Sequence, residues 1–318
     1  MTKHKRHIHR QRHHRRHRHH RHHRNVPRTS HKSHKVYKYN KSVKSISPSQ
    51  LHNYKTLSSV SYHAPKSTSP KKALLLGLNY PNTPNALSGC VNDVVNIRNL
   101  LINTYGFKAT DIELITDVQI GTDGTATKTS ITQNQVVQAM SRFFNGVAAN
   151  DHLFIYYSGH GVSVADASHD ETDGKDEAIY FIDNILSDDH LSKMLLSLPY
   201  QVKATLFFDC CFSGTMCDLP YRYVNSTYLV ESNKIFRADI VTLSGCLDSQ
   251  TSADAFDSKR NMPSGALTSA LLDTLEKDPN LTWHNILLNV RKLLVERGFE
   301  QIPQLAMTNP GLVARGVF

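Results

Sequence analysis

The chain has 318 residues, a length that fits one large α/β domain with a tail. Its formal net charge of +10 is the sum of a strongly basic segment and an acidic one. Residues 1–72 hold 20 of the 37 Lys and Arg, 14 of the 19 His and no acidic residue, and the rest of the chain is acidic. This distribution excludes a uniformly basic nucleic-acid-binding domain.

Residues 1–70 are rich in His, Arg and Lys and then in Ser, Lys, Tyr and Pro, without sustained periodicity. Such a composition cannot bury enough apolar surface to offset the entropy of ordering, so we predict a disordered N-terminal region. Its charge favours binding to nucleic acid or to an anionic surface, and its histidines favour weak metal capture. A solvated leader that only tethers or localises the protein fits equally well.

No stretch of 18 or more apolar residues occurs, and no apolar core follows the N-terminal charges. We therefore expect a soluble protein without a membrane span, located in the cytoplasm or, through its basic tail, in the nucleus. The five cysteines are an odd number spread over a long chain, which is not typical of a disulfide framework.

Residues 71–318 form the second predicted region, a single domain in which short apolar runs alternate with amphipathic stretches. Continuous apolar runs predict strands buried on both faces. These runs lie at 73–78, 112–115, 153–157, 179–182, 204–208 and 240–243. Apolar periodicity predicts helices, which lie at 91–101, 136–144, 189–198, 266–275 and 283–294. A capping box of Thr132 and Gln135 begins the second helix. The alternation predicts a three-layer α/β/α sandwich around a mainly parallel six-stranded sheet.

Reactive side chains directly follow two of these strands. His160 follows the third strand, and Cys210 and Cys211 follow the fifth. If the two strands are neighbours in a parallel sheet, an imidazole and a thiol meet at its carboxyl edge, and a thiol becomes nucleophilic when an imidazole takes its proton. The amides of Gly161 and Cys211 would then donate to the oxyanion formed by attack on a carbonyl group. An ordinary core thiol and a satisfied histidine are the alternative.

The adjacent thiols leave open which of them meets the imidazole. Successive residues of a strand point to opposite faces of the sheet, so only one of Cys210 and Cys211 can do so.

The motif Tyr-Ser-Gly-His-Gly at 157–161, followed by Asp-Cys-Cys-Phe-Ser-Gly at 209–214, resembles the type I metacaspases, which are caspase-like cysteine peptidases. Cys211 lies 51 positions after His160, in agreement with the spacing of roughly 50 residues in caspases. Further motifs occur in the same order at 89–93, 218–221, 244–246 and 250–253. The resemblance implies a caspase-like fold, His160 as catalytic base and Cys211 as nucleophile, with Cys210 as a packing residue.

The resemblance also implies protein or peptide substrates that are cleaved after Arg or Lys. It assigns the complementary negative charge to Asp93 and Asp209, with Cys90 and Ser158 lining the same pocket. A carboxylate in a partly desolvated pocket suits a cationic side chain. Taken alone, Asp209 also fits a turn or helix cap and Asp93 a first-turn acid favoured by the helix dipole.

Calcium is the cofactor that the resemblance implies, with a regulatory and not a catalytic role. The acidic segment 170–177 is dense in the oxygen ligands that calcium prefers. The candidate ligands are Asp173, Asp188, Asp189 and Asp218. An exposed acidic loop is the alternative.

The basic tail is itself an array of Arg and Lys cleavage sites, so we expect autocatalytic trimming, with Lys71 or Lys72 as final sites. The resemblance implies a monomer, whereas true caspases dimerise through a sheet edge. Two other functions remain open at this point. One is a non-catalytic scaffold with the same fold, and the other is a nucleic-acid-binding protein that acts through its tail.

Overall fold

The computed structural model describes residues 69–318 apart from positions 122, 124, 166–173, 212, 214–215, 225 and 247–253. Almost all of the N-terminal region predicted to be disordered therefore lies outside the described residues.

Within the described residues the chain forms fifteen β-strands and five α-helices. The strands are β1 (Lys71–Gly77), β2 (Ile112–Thr116), β3 (Val118–Ile120), β4 (Ala126–Lys128), β5 (His152–Ser158), β6 (Gly161–Ala165), β7 (Lys175–Tyr180), β8 (Ile185–Ser187), β9 (Lys203–Asp209), β10 (Tyr221–Val224), β11 (Thr227–Val230), β12 (Asp239–Ser244), β13 (Asp254–Asp257), β14 (Met262–Gly265) and β15 (Gln304–Met307). The helices are α1 (Cys90–Asn103), α2 (Gln133–Phe144), α3 (Asp188–Leu196), α4 (Ala266–Lys277) and α5 (Trp283–Glu296).

The central sheet has the strand order β11-β10-β15-β12-β9-β5-β1-β2. The five strands from β12 to β2 run parallel to one another, and β15, β10 and β11 extend the sheet in antiparallel pairings. Every residue of β5 is buried, as expected for a strand covered on both faces. The prediction of a mainly parallel central sheet is confirmed.

The predicted number of six strands is wrong, because the sheet has eight. The run at 179–182 belongs to β7 and the following turn, and β7 pairs with β6 and β8 in a separate antiparallel sheet. That run is apolar because Ile179 and Phe181 pack in the core beside α3. The strands that were missed, β10, β11 and β15, are four residues each, and none contains an apolar run of four or more residues.

The helices cover both faces of the sheet, which confirms the three-layer sandwich. Side chains of α1, α4 and α5 form one apolar core, and those of α2 and α3 form the other. All five predicted helices are present, and the capping box of Thr132 and Gln135 begins α2. None of the helices in the described part of the chain is both long and apolar enough to span a bilayer.

The register of the parallel strands brings three chain segments to one level at the carboxyl edge. Gly77 at the end of β1 pairs with Ser158 at the end of β5, and Ser158 pairs with Asp209 at the end of β9. The polar residues that follow these strands therefore emerge side by side.

Candidate functional site

The two strand ends predicted to carry the reactive side chains are neighbours in the sheet. The backbone of Gly161 packs directly against Cys211, so that a Cβ on Gly161 would overlap the Cys211 carbonyl oxygen and lie 3.2 Å from the Cys210 sulfur. A glycine is therefore required at position 161 for this close approach. The turns that carry His160 and Cys211 are thus in contact at the carboxyl edge.

Groups from the loop after β1 orient the His160 ring. Its Nε2 lies 2.7 Å from the carbonyl oxygen of Asn85. Because a carbonyl oxygen only accepts hydrogen bonds, Nε2 carries the proton, and Nδ1 is the acceptor nitrogen of the neutral ring. The Tyr80 ring lies against the imidazole with a centroid distance of 4.7 Å and an interplanar angle of 33°.

The backbone of His160 is held by two tyrosine hydroxyls. The His160 amide donates to the Tyr80 hydroxyl (3.1 Å), and the Tyr157 hydroxyl donates to the His160 carbonyl oxygen (2.7 Å). The two hydroxyls are 2.9 Å apart. Sequence reasoning missed Tyr80 and Asn85, and the only signal was their position in the loop after a predicted strand.

The two adjacent thiols differ strongly in their surroundings. Cys210 is 1% exposed, and burial raises the pKa of its thiol well above the usual range. Cys211 is half-buried and lies against Gly161, the residue after the histidine. Burial of a thiol in apolar surroundings disfavours the thiolate, so Cys210 is poorly suited to nucleophilic chemistry.

Three of the four predicted pocket residues, Asp93, Ser158 and Asp209, lie together at one buried location. Asp93 is in the first turn of α1, but its carboxylate accepts a hydrogen bond from the Ser158 hydroxyl (2.8 Å) at the end of β5. Asp209 is the register partner of Ser158 on β9. Cys90 is the first residue of α1 and is buried. The interpretation of Asp93 as only a first-turn acid is therefore incomplete, because its carboxylate faces the strand ends.

Burial and mutual repulsion dominate the electrostatics of the two carboxylates. Asp93 is 0% exposed and Asp209 is 4% exposed. Burial, together with the negative charge of Asp209, raises the pKa of Asp93 to about 8. At neutral pH the pair therefore keeps a proton that an added cation would expel.

The start of α4 donates to both carboxylates, a contact that sequence reasoning missed. Ser264 Oγ donates to Asp93 Oδ1 (2.6 Å), and the Gly265 amide lies 3.0 Å from Asp93 Oδ2. The amide and the hydroxyl of Thr268 donate to Asp209 Oδ2 at 2.9 and 2.6 Å. Asp209 does cap a helix, as its alternative interpretation held, but the helix is α4 and not one that follows β9.

The structure describes three of the four predicted calcium ligands, Asp188, Asp189 and Asp218. Asp173 lies outside the described residues. Asp188 is 2% exposed, and burial together with the charges of Asp218 and Glu177 raises its pKa to about 8. The description of these residues as an exposed acidic loop is therefore wrong for Asp188 and Asp218, which are both buried.

A lysine lies among these acids. Lys234 Nζ is 2.7 Å from Asp218 and 3.6 Å from Asp189. Cys217 and Asp218 both adopt positive φ angles, of 84° and 49°, so the turn that presents Asp218 is strained. The described residues do not bring three Asp, Glu, His or Cys side chains into a metal-binding group.

Comparison with known proteins identifies related chains. Residues 71–220 match the family model of the metacaspase peptidase C14 domain. Metacaspase-1 of Scheffersomyces stipitis is 32% identical over 294 residues, which cover 76% of this chain and 71% of that protein. Metacaspase-1 of Kluyveromyces lactis is 33% identical over 317 residues, covering 82% of this chain and 71% of that protein.

Solved structures share the fold at low sequence identity. Protein GSU0716 from Geobacter sulfurreducens superposes with a TM-score of 0.54 and 23% identity, over 78% of this chain and 97% of that one. Caspase-1 from Spodoptera frugiperda superposes with a TM-score of 0.50 and 12% identity, over 78% of this chain and 93% of that one.

Proposed function

Because this chain belongs to the metacaspase family of cysteine peptidases, we propose that it hydrolyses peptide bonds after Arg or Lys, with His160 as general base and Cys211 as nucleophile. The observation that carries the assignment is the contact between the two strand ends, where Gly161 packs against Cys211. The difference between a buried Cys210 and a half-buried Cys211 supports the choice of thiol.

The protons of the reaction follow from the orientation of the ring. Asn85 accepts from Nε2 of His160, so Nδ1 accepts the proton of the Cys211 thiol. The thiolate forms a bond to the carbonyl carbon of the scissile peptide, and the carbonyl electrons move to the oxygen. The amides of Gly161 and Cys211 are the proposed donors to that oxyanion.

Collapse of the tetrahedral intermediate breaks the carbon–nitrogen bond, and the His160 imidazolium donates its proton to the leaving amine. Water, deprotonated by the same imidazole, then attacks the thioester and releases the acid product with the Cys211 thiol restored. Tyr80 and Asn85 would maintain the ring orientation through both steps.

The proposed specificity rests on the buried carboxylates of Asp93 and Asp209, with Cys90 and Ser158 beside them. A guanidinium or ammonium group placed there would meet a pair of acids in a desolvated site, where an ionic hydrogen bond is strong. The same site would reject an acidic side chain by like-charge repulsion.

Calcium regulation is a further part of the proposal. Asp188 and Asp218, with Asp189, would hold the ion, and bound calcium would supply the positive charge that relieves their repulsion. Hard carboxylate oxygens suit such a cation, and so does the repulsion of Asp188 by Asp218 and Glu177, which contributes to its raised pKa. The described donors are an incomplete set, however, and Lys234 competes for Asp218. Calorimetric titration with calcium of the wild type and of Asp188→Asn tests the site without an activity assay.

Autocatalytic trimming of the tail remains part of the proposal, but Lys71 and Lys72 are poor sites. Both lie inside β1 and pair with β5, and Lys71 Nζ donates to the Tyr105 carbonyl oxygen. Cleavage after either residue would require β1 to leave the sheet. N-terminal sequencing after incubation with calcium should therefore find a cut before residue 71.

The other proposed properties concern partners and location. The charge of residues 1–70 supports binding to nucleic acid or an anionic surface, and a cytoplasmic or nuclear location. Pairing of β10 with the outer edge of β15 supports a monomer, because the β10–β11 hairpin covers that edge. Gel filtration at several concentrations and salt-dependent binding to DNA test these two points.

Hydrolysis of fluorogenic peptides that end in Arg, Lys or Asp, with and without calcium, tests the central proposal. We expect wild type and Cys210→Ala to cleave the Arg and Lys peptides and Cys211→Ala to cleave none. Cleavage by Cys211→Ala, or cleavage of the Asp peptide alone, would overturn the proposal.

A further inference from the structure

The start of α4 is far in sequence from the proposed pocket but lies directly on it. Ser264 and Gly265 are 171 and 172 positions from Asp93, and Thr268 is 59 positions from Asp209. Every one of the contacts joins a donor of the β14–α4 junction to a carboxylate oxygen. The junction therefore interacts with the acidic pair by donating hydrogen bonds to its carboxylates.

Thr268 uses both its hydroxyl and its amide at this point. Its hydroxyl donates to Asp209 Oδ2, so the Tyr156 hydroxyl, 2.5 Å from the same oxygen atom of Thr268, is the donor in that contact. The Thr268 amide donates to Asp209 Oδ2 as well. Asp209 is thus held by two donors of one residue, and Tyr156 fixes the hydroxyl of that residue.

Gly265 lies between the two carboxylates. A Cβ at this position would overlap Asp209 Oδ2 and would lie 3.1 Å from Asp93 Oδ2. Any other residue would therefore push a side chain into the position where the two acids meet. Glycine here is explained by a close approach, because its φ of −63° is one that every residue adopts.

The donors of this junction are hydroxyls and amides, which stabilise a carboxylate without cancelling its charge. The N-terminus of α4 acts in the same direction, since its amides favour a negative charge. An acidic pair held in this way retains its attraction for a cation that arrives from outside.

We propose that the β14–α4 junction is part of the S1 subsite, the pocket that receives the P1 side chain. Ser264 and Thr268 are positioning residues that hold Asp93 and Asp209. Gly265 keeps the space between the carboxylates clear for the cationic group of the substrate. This inference rests on the proposed Arg and Lys specificity and adds three specificity-determining positions to it. Its substrate class is a peptide with a guanidinium or ammonium group at P1.

Thr268→Val tests the inference because it removes the hydroxyl and keeps the shape. Loss of a hydrogen bond to a charged acceptor predicts a KM for the Arg peptide that is about tenfold or more higher, with little change in kcat. Thr268→Ser keeps the hydroxyl and should restore the wild-type KM. The matched control is Thr274→Val, a buried position on the same helix whose hydroxyl donates only to the Ala270 carbonyl oxygen.

A second variant keeps the test decisive if Thr268→Val fails to fold. Ser264→Ala removes the hydroxyl that holds Asp93 and should raise the same KM. Its control is Ser269→Ala, whose hydroxyl donates to Asp257 and accepts from Arg297, neither of which is a pocket residue. Alkylation of Cys211 by iodoacetamide, which requires the thiolate but no P1 side chain, should proceed at the wild-type rate in every variant.

The outcomes separate this inference from the function on which it rests. A wild-type protein that cleaves neither Arg nor Lys peptides, but cleaves others, would overturn the proposed specificity. A wild type that cleaves Arg peptides, together with an unchanged KM in Thr268→Val and Ser264→Ala, would overturn the inference alone. Equal losses in kcat and in the alkylation rate would show general distortion of the site and would also overturn it.

Discussion

The Asp93–Asp209 pair and the Asp188–Asp218 pair are both buried pairs of mutually repelling carboxylates, but different groups stabilise them. In each, burial and a neighbouring carboxylate raise one aspartate pKa to about 8. The first pair receives hydrogen bonds from neutral hydroxyls and amides of the β14–α4 junction. The second also receives backbone amides, on Asp188, but in addition it receives an ammonium group, that of Lys234 at 2.7 Å from Asp218.

This difference decides what each pair can accept from outside. The neutral donors of the β14–α4 junction do not cancel the charge of the first pair, which the proposed function assigns to a substrate cation, whereas Lys234 already cancels part of the charge of the second. A cation that enters the second pair must compete with a side chain of the same protein. In the function proposed above, the first pair would serve specificity and the second would serve regulation.

The largest expected effect follows from Asp209→Asn compared with Asp188→Asn. Removing the charge from the first pair should lower kcat/KM for the Arg peptide about a hundredfold or more at every calcium concentration. Asp188→Asn should instead change the calcium concentration needed for activity. Initial rates across a calcium titration check both. Equal behaviour of the two variants would remove the functional distinction between the pairs.

Lys234→Met tests whether an internal cation is what distinguishes the second pair. Without calcium, loss of the partly buried ion pair should lower Tm by about 2–4 °C, and calcium should restore it at a lower concentration than in the wild type. Lys193→Met is the matched control, because its ion pair with Asp189 is solvent-exposed and should change Tm by less than about 1 °C. Equal Tm values for both variants would contradict a role for Lys234.

The pH dependence of stability should reveal both pairs. A carboxyl whose pKa is about 8 in the folded protein and about 4 in the unfolded chain binds a proton only when folded between these values. The free energy of unfolding should therefore fall as the pH rises from about 4 to about 8 and level off above it. Asp93→Asn and Asp188→Asn should each remove part of this slope.

Repeating the pH series with calcium separates the two pairs. Calcium should reduce only the part of the pH dependence of the free energy of unfolding that Asp188 contributes. The titratable groups facing Asp93 are Asp209 and Tyr156, and Cys90 lies one turn earlier in α1. Those around Asp188 are Asp218, Glu177, Cys217 and, through Asp218, Lys234. His152, whose pKa burial lowers to about 4, contributes an opposite slope that cancels between wild type and variant. An unchanged slope in Asp93→Asn would refute the raised pKa.

The smallest effect should come from Tyr156→Phe. This change removes the hydroxyl that donates to Thr268 and leaves the bonds from Thr268 to Asp209 in place, so KM for the Arg peptide should rise only about two- to fivefold. Tyr105→Phe is the control, because that hydroxyl donates to the Pro279 carbonyl oxygen instead. An effect as large as that of Thr268→Val would show that the hydroxyl chain acts as one unit.

Much of the fold was readable from residue patterns because buried parallel strands and amphipathic helices each have a local signature. All five helices were predicted, as were the five parallel strands of the central sheet. The missed strands β10, β11 and β15 are short, and their pairing depends on distant partners. A four-residue segment contains too little periodicity to reveal such pairing.

For the site residues, too, the sequence identified the candidates and the tertiary structure decided their contacts. His160, Cys211 and the four predicted pocket residues stand at strand and helix ends, where sequence order alone marks them as candidates. Which thiol is accessible, and whether two carboxylates lie together, depended on the register between β5 and β9 and on burial from both faces of the sheet.

Residue order along the chain was sufficient to identify the elements of the domain and the reactive groups that follow them, because strand and helix formation and turn chemistry depend on near neighbours. The donors around those groups came only from packing: Asn85 and Tyr80 on the imidazole, the start of α4 on Asp93 and Asp209, and Lys234 on Asp218. These contacts join positions 16 to 172 residues apart, and a hydrogen bond between such positions is set by how the layers of the sandwich meet, which no local pattern contains.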